Sequence, residues 1–64
     1  MRADITEARK GDVVRFQKYA LRVEAEPILE RSGITLTGRI SIDGCPIVTR
    51  WFLTGRIVEI ERGG

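Results

Sequence analysis

Histidine is absent from this chain of 64 residues, and cysteine occurs once, as Cys45. Without histidine there is no Cys-His catalytic pair, and one thiol builds neither an internal disulfide nor a structural zinc site. No metal and no organic cofactor is therefore expected, and Cys45 reads as a small hydrophobe beside a turn. No apolar run approaches the roughly 20 residues that cross a bilayer. The opening residues Met1-Arg2-Ala3-Asp4 lead into no apolar stretch, so no secretory signal and no membrane partner is expected, and the expected compartment is the cytoplasm. Repeats, low-complexity tracts and linkers are missing as well, so residues 1–64 read as a single domain. A chain this short buries only about 60% of the surface its unfolded form exposes, which leaves a single core and little room for a large cleft. The P-loop, the GxGxxG turn and the calcium loop are all missing, and no nucleophile can be paired with a base. The carboxylates alternate with arginines along strands, the pattern of a solvated face. These absences exclude most enzyme classes. The expectation is a non-enzymatic protein with no small-molecule substrate evident.

What is present is a hairpin signature. Asp43-Gly44 supplies the backbone freedom of a two-residue type I′ turn, and apolar and polar residues alternate on both sides of it. Ile34-Thr35-Leu36-Thr37-Gly38-Arg39-Ile40-Ser41-Ile42 runs into the turn, and Cys45-Pro46-Ile47-Val48-Thr49-Arg50-Trp51-Phe52-Leu53 runs out of it. A turn there pairs Ile40 with Ile47, Leu36 with Trp51 and Ile34 with Leu53 on the core face. A slip of one residue would send that set to solvent.

Two further turns extend the sheet into a meander. A turn at Thr54-Gly55 sets Trp51 against Val58 inside and Arg50 against Glu59 outside. A turn at Ser32-Gly33 sets Leu29 against Leu36 and Val23 against Ile42 inside, with Glu26 against Arg39 outside. Opposite charges so placed contribute about 0.2–1 kcal/mol each. Pro27 falls opposite Gly38. Proline has no N–H to donate, so the strand there is an edge or is bulged, and the long hairpin coils. Upstream, Thr6 can cap one helical turn over Glu7-Ala8-Arg9-Lys10, which Gly11 can end. The expected strands are 12–16, 20–30, 34–42, 45–53 and 56–62. The expected core is Val23, Leu29, Leu36, Ile40, Ile47, Trp51, Val58 and Ile60, with Leu21 and one of Val13 or Val14.

Five short antiparallel strands in so few residues resemble the small SH3-like β-barrels. The stretch Lys10-Gly11-Asp12-Val13-Val14 is similar to the start of the first strand in KOW-type ribosomal proteins and in the N-terminal domain of elongation factor P. The resemblance implies an all-β fold: a small five-stranded antiparallel SH3-like barrel, a meander with an N-terminal helical turn. It implies no single function, because one fold hosts many. The chain also departs from these relatives. Elongation factor P carries a basic residue in a glycine-rich hairpin tip, whereas the tip here is the acidic Asp43-Gly44.

Two surfaces stand out as candidates. In the expected register Val48, Phe52 and Ile57 point away from the core, with Phe52 opposite Ile57. An exposed apolar patch of this kind marks a protein partner or self-association. The second is the basic segment 9–22, where Arg9, Lys10, Arg15, Lys18 and Arg22 stand against Asp12 alone, within a chain of net charge +2. These interleave with Phe16 and Tyr19, and cations with stacking aromatics serve weak, sequence-blind RNA or DNA binding. The expected function is a binding module, with protein interaction through the patch first and nucleic-acid binding as the alternative.

Overall fold

The computed structural model describes residues 1–63. The β-branched and aromatic stretches form strands β1 (Arg2–Asp4), β2 (Val13–Phe16), β3 (Tyr19–Val23), β4 (Ile28–Leu29), β5 (Gly33–Ile40), β6 (Ile47–Leu53) and β7 (Ile57–Glu61). The fold is all-β, with no α-helix among the described residues, and its antiparallel sheet curls into a half-barrel. The strand order is β1-β7-β2-β3-β5-β6, and β4 lies alongside β5 on the same side as β3. No helix among the described residues is long and apolar enough to cross a membrane.

The last strand corrects the meander. β7 does not follow β6 in the sheet but crosses to pair with β2, Val14 meeting Ile60, and with β1, Ala3 meeting Val58. A flat meander of this length leaves its whole inward face open to water. Curling the sheet lets its two ends cover that face between them. The core is accordingly Ile5, Ala8, Val14, Phe16, Leu21, Val23, Ile34, Leu36, Ile40, Phe52, Val58 and Ile60. The expected pair of Arg50 with Glu59 does not form, because Glu59 faces Arg2 and Arg15 instead.

The hairpin turns at Asp43-Gly44 as expected, but in another register. Ile47 lies opposite Arg39, not Ile40, and Phe52 lies opposite Ile34. The Ile42 carbonyl accepts from the Cys45 N–H (2.8 Å), and Gly44 has φ +84°, the geometry of a type II turn, in place of the expected two-residue type I′ turn, inside the connection of residues 41–46. Pro46 now opposes Ile40 and has no N–H to give it. The Ile40 carbonyl takes the Ile42 N–H instead (2.9 Å), so that carbonyl is not orphaned. The slip turns β6 over. Phe52 is 6% exposed and Trp51 51%, so Trp51 and Ile47 leave the expected core; Leu29, on the short strand β4, is exposed as well. Both faces of β6 are apolar, so alternation alone leaves its orientation open. A buried indole N–H needs a partner that an aliphatic core does not offer, whereas a phenyl ring needs none. Phe52 therefore goes inside, edge-on to Phe16 with ring centroids 5.3 Å apart.

Pro27 and Gly38 mark where the second long strand breaks. Residues 24–27 form a bulge in which Glu24 and Ala25 both donate to the Thr37 carbonyl (2.9 and 3.3 Å). Val23 thus meets Gly38 and Ile28 meets Thr35, and Arg39 pairs with Glu24 (3.6 Å) in place of Glu26. A Cβ on Gly38 would stand 2.7 Å from the Arg22 carbonyl carbon and 3.0 Å from Val23 Cα, which are backbone atoms unable to turn aside. We expect Gly38→Ala to cost at least the ~1–3 kcal/mol of an overpacked core. A urea midpoint within error of the parent protein would show that the two strands part freely.

The N-terminal helical turn is a 3-10 turn at Ile5–Glu7 rather than 7–10, and Asp4, not Thr6, caps it. The Asp4 carboxylate accepts from the Thr6 N–H (3.0 Å) and hydroxyl (2.9 Å). The turn places Ile5 fully inside the core.

Candidate protein-interaction surface

Along β6 the residues alternate between the two sides of the sheet. Val48 and Phe52 turn toward the core. Ile47, Thr49, Trp51 and Leu53 share the outer face, and Ile47 and Leu53 are each 58% exposed. β5 presents Gly33, Thr35, Thr37 and Arg39 to the same side, and β4 adds Ile28, 62% exposed. One cross-strand row is Ile28, Thr35 and Trp51. The next is Thr37 and Thr49, with hydroxyls 3.0 Å apart. The Trp51 indole occupies the space a side chain on Gly33 would need, so Gly33 is buried beneath it while the other side of the ring meets solvent. An aromatic laid over a strand glycine restores the contact the glycine lacks. At the far end Ile47 abuts Arg39, whose guanidinium donates to the Cys45 carbonyl (3.0 Å).

The structure disperses the three apolar residues expected to form the patch. Phe52 is in the core, Val48 is half-buried against it, and Ile57 is exposed but lies on β7 opposite Asp4. The patch on the last hairpin is made by their strand neighbours instead. Ile47, Trp51, Leu53 and Ile28 are the residues sequence reasoning missed. The signal that could have found them is the tryptophan N–H, which argues against burying Trp51 among aliphatic side chains.

The basic segment is divided: Lys10 and Arg22 line one shallow pocket beside Val13, while Arg15 and Lys18 lie apart from it. Arg9 and Lys10 precede β2, Lys18 sits at the tip of the β2–β3 hairpin, and Arg22 faces Arg39 directly across the ladder. Arg15 is ion-paired with Glu61 (2.8 Å). The interleaved aromatics are engaged elsewhere, Phe16 in the core and Tyr19 half-buried with Lys18 5.9 Å from its ring centre. Among the described residues no three His, Cys, Asp or Glu side chains converge.

Arg15 holds the Glu61 carboxyl below its ordinary 4.5, first by its hydrogen bond and then by its charge. The Thr6 N–H and hydroxyl hold Asp4 below 3.8. A carboxyl whose folded pKa is depressed stabilises the fold above its ordinary value, and that contribution is lost as pH falls through the folded pKa. The melting temperature should therefore fall below about pH 4. Glu61→Gln should reduce the fall, and added salt should shrink the Glu61 share, since the pair is solvent-exposed. A Glu61→Gln protein with an unchanged acid limb would show that this pair contributes nothing.

No protein-family model matches the chain, and neither the curated proteins nor the solved structures compared with it give a significant match.

Proposed function

We propose that this protein is a non-enzymatic binding module with a small SH3-like barrel architecture, and that it takes a protein partner on the outer face of the β5–β6 hairpin. The observation that carries the reading is the set Ile28, Ile47, Trp51 and Leu53, each more than half exposed on one side of one sheet. Several large apolar side chains on one face of so small a domain, here with Thr35 and Thr49 set between them, mark an interaction surface, and tryptophan is a frequent anchor of such surfaces. The architectural reading is supported by the curled antiparallel sheet, in which the last strand returns beside β2.

The test uses an Ile47→Thr/Trp51→Thr variant. Threonine keeps β propensity and removes the apolar surface. The parent protein should capture a protein from cell extract at both low and high salt, and the variant, still folded by its NMR spectrum, should not. Equal capture by the two proteins would overturn the reading. Amide shifts confined to residues 9–22 on adding mixed RNA and DNA oligomers, fading between about 50 and 200 mM salt, would favour nucleic acid in its place.

A further inference from the structure

The free edges of this sheet are unlike one another. β1 is three residues long and carries Arg2 and Asp4, while β4 is two residues long. β6 runs seven residues with a single charge, Arg50, and holds no proline and no bulge. Natural edge strands are kept short, charged or bulged because their unpaired N–H and C=O groups recruit other strands. β6 has little of that protection.

The phase of its hydrogen bonds matters as much as its length. The Ile40 N–H donates to the Pro46 carbonyl (3.1 Å) and the Thr54 N–H to the Ser32 carbonyl (3.0 Å). Bonding alternates along an antiparallel ladder. Val48, Arg50 and Phe52 therefore turn their backbone groups toward β5, while Ile47, Thr49, Trp51 and Leu53 turn theirs to the open edge. These four residues also present their side chains on the outer apolar face. One alternate set thus offers both the main-chain bonds and the apolar contacts for an incoming strand.

We propose that β6 receives an extended segment of a partner protein as an added antiparallel strand. The segment carries apolar residues on the outer face and an acidic residue opposite Arg50. The proposal rests on the protein-binding reading above and specifies its mode. The antiparallel sense follows every other pairing in the sheet. The acidic residue follows from charge: Arg50 is exposed and has no ion-pair partner among the described residues. A second copy of the chain fits less well. Centred on Arg50, two β6 strands set one guanidinium against the other, and any other symmetric register leaves one end of each strand unpaired.

The probe is a synthetic peptide, Val-Thr-Val-Glu-Val-Thr-Val, with capped ends and Ser-Gly flanks for solubility. Titrated into the labelled protein, it should shift the amides of Ile47, Thr49, Trp51 and Leu53 and slow their exchange with solvent. N-methylation of its valines, whose N–H groups face β6, should abolish binding, while N-methylation of its threonines should spare it. Replacing its Glu by Lys, which trades an opposite-charge pair for a like-charge one, should weaken binding by roughly two- to thirtyfold. Binding that survives valine methylation yet is lost with Trp51→Thr would overturn strand addition and leave the apolar-face reading standing. So would failure of every peptide to bind while the Ile47→Thr/Trp51→Thr protein still loses its captured partner. Edge-amide shifts that appear on concentrating the protein alone would overturn the proposal in favour of a second copy.

Discussion

Phe52→Ala should unfold most of this protein at room temperature, whereas Trp51→Thr beside it should leave the fold intact. Phe52 is nearly covered and packs edge-on against Phe16. Removing a buried phenyl ring costs about 3–5 kcal/mol through lost transfer energy and the cavity left behind. A single core in a chain below about 70–80 residues rarely supplies more than about 3–5 kcal/mol, so that loss leaves little or nothing to hold the fold. Trp51 is half exposed, and its indole lies over Gly33. Its loss removes that cover and nothing from the core. Urea unfolding followed by circular dichroism separates the two. If the Trp51 variant proves the less stable of the pair, β6 faces the other way and the register described above is wrong.

Asp12→Ala should be the most costly substitution of a charged residue, at about 2–3 kcal/mol. The Asp12 side chain is buried, 3% exposed, and ties three segments together. Its Oδ2 accepts from the Arg9 N–H (3.0 Å) and from the Arg62 guanidinium (2.7 Å), and its Oδ1 accepts from the Gly63 N–H (3.4 Å). Its backbone carbonyl also accepts from Val23 (2.9 Å). Truncation leaves two backbone donors without their acceptor. Arg62 is itself partly exposed and can turn to water, which keeps the cost below that of a wholly buried ion pair. Amide exchange at Arg9 and Gly63 should accelerate in the variant. A change below about 0.5 kcal/mol would mean that solvent satisfies those donors as well as the carboxylate does.

The places of the longer strands, a turn at Asp43-Gly44 and the break at Pro27 and Gly38 were legible because each rests on local chemistry: alternation, a permissive glycine, a missing N–H. The short strand β1 (Arg2–Asp4) was not, and the expected strand 20–30 is the two strands β3 and β4. Nor was the direction in which β6 faces. Ile47-Val48-Thr49-Arg50-Trp51-Phe52-Leu53 carries apolar residues in both phases, so either orientation satisfies the pattern. Alternation could not decide it; the indole N–H, which disfavours burying Trp51 among aliphatic side chains, could have, and the inward Phe52 then meets Phe16, 36 positions away. The candidate surface inherited the error, since a strand turned over exchanges its buried and exposed sets. The partner of β7 was hidden for a related reason. Val58 and Ile60 read as inward-facing beside any strand, and only the need to cover both sides of a core sends them to β2.

That return of β7 to β2 also sets an order in time. Ile40 and Pro46 close a connection of a few residues, whereas Val14 and Ile60 join distant parts of the chain. Each doubling of loop length costs about 0.6 kcal/mol, so direct closure between the distant pair is dearer by roughly 2 kcal/mol. Once β2, β3, β5 and β6 have zipped together, however, β7 has only the short Thr54-Gly55-Arg56 link left to cross. The β5–β6 hairpin should therefore form early and β7 dock late. In stopped-flow measurements Thr37→Ala should mainly slow refolding, and Val58→Ala should mainly speed unfolding. The reverse pattern would place the docking of β7 in the nucleus. A chain that waits for its last strand spends that interval with Val14 and Leu21 uncovered, and this is the stage at which it is most exposed to association with its own kind.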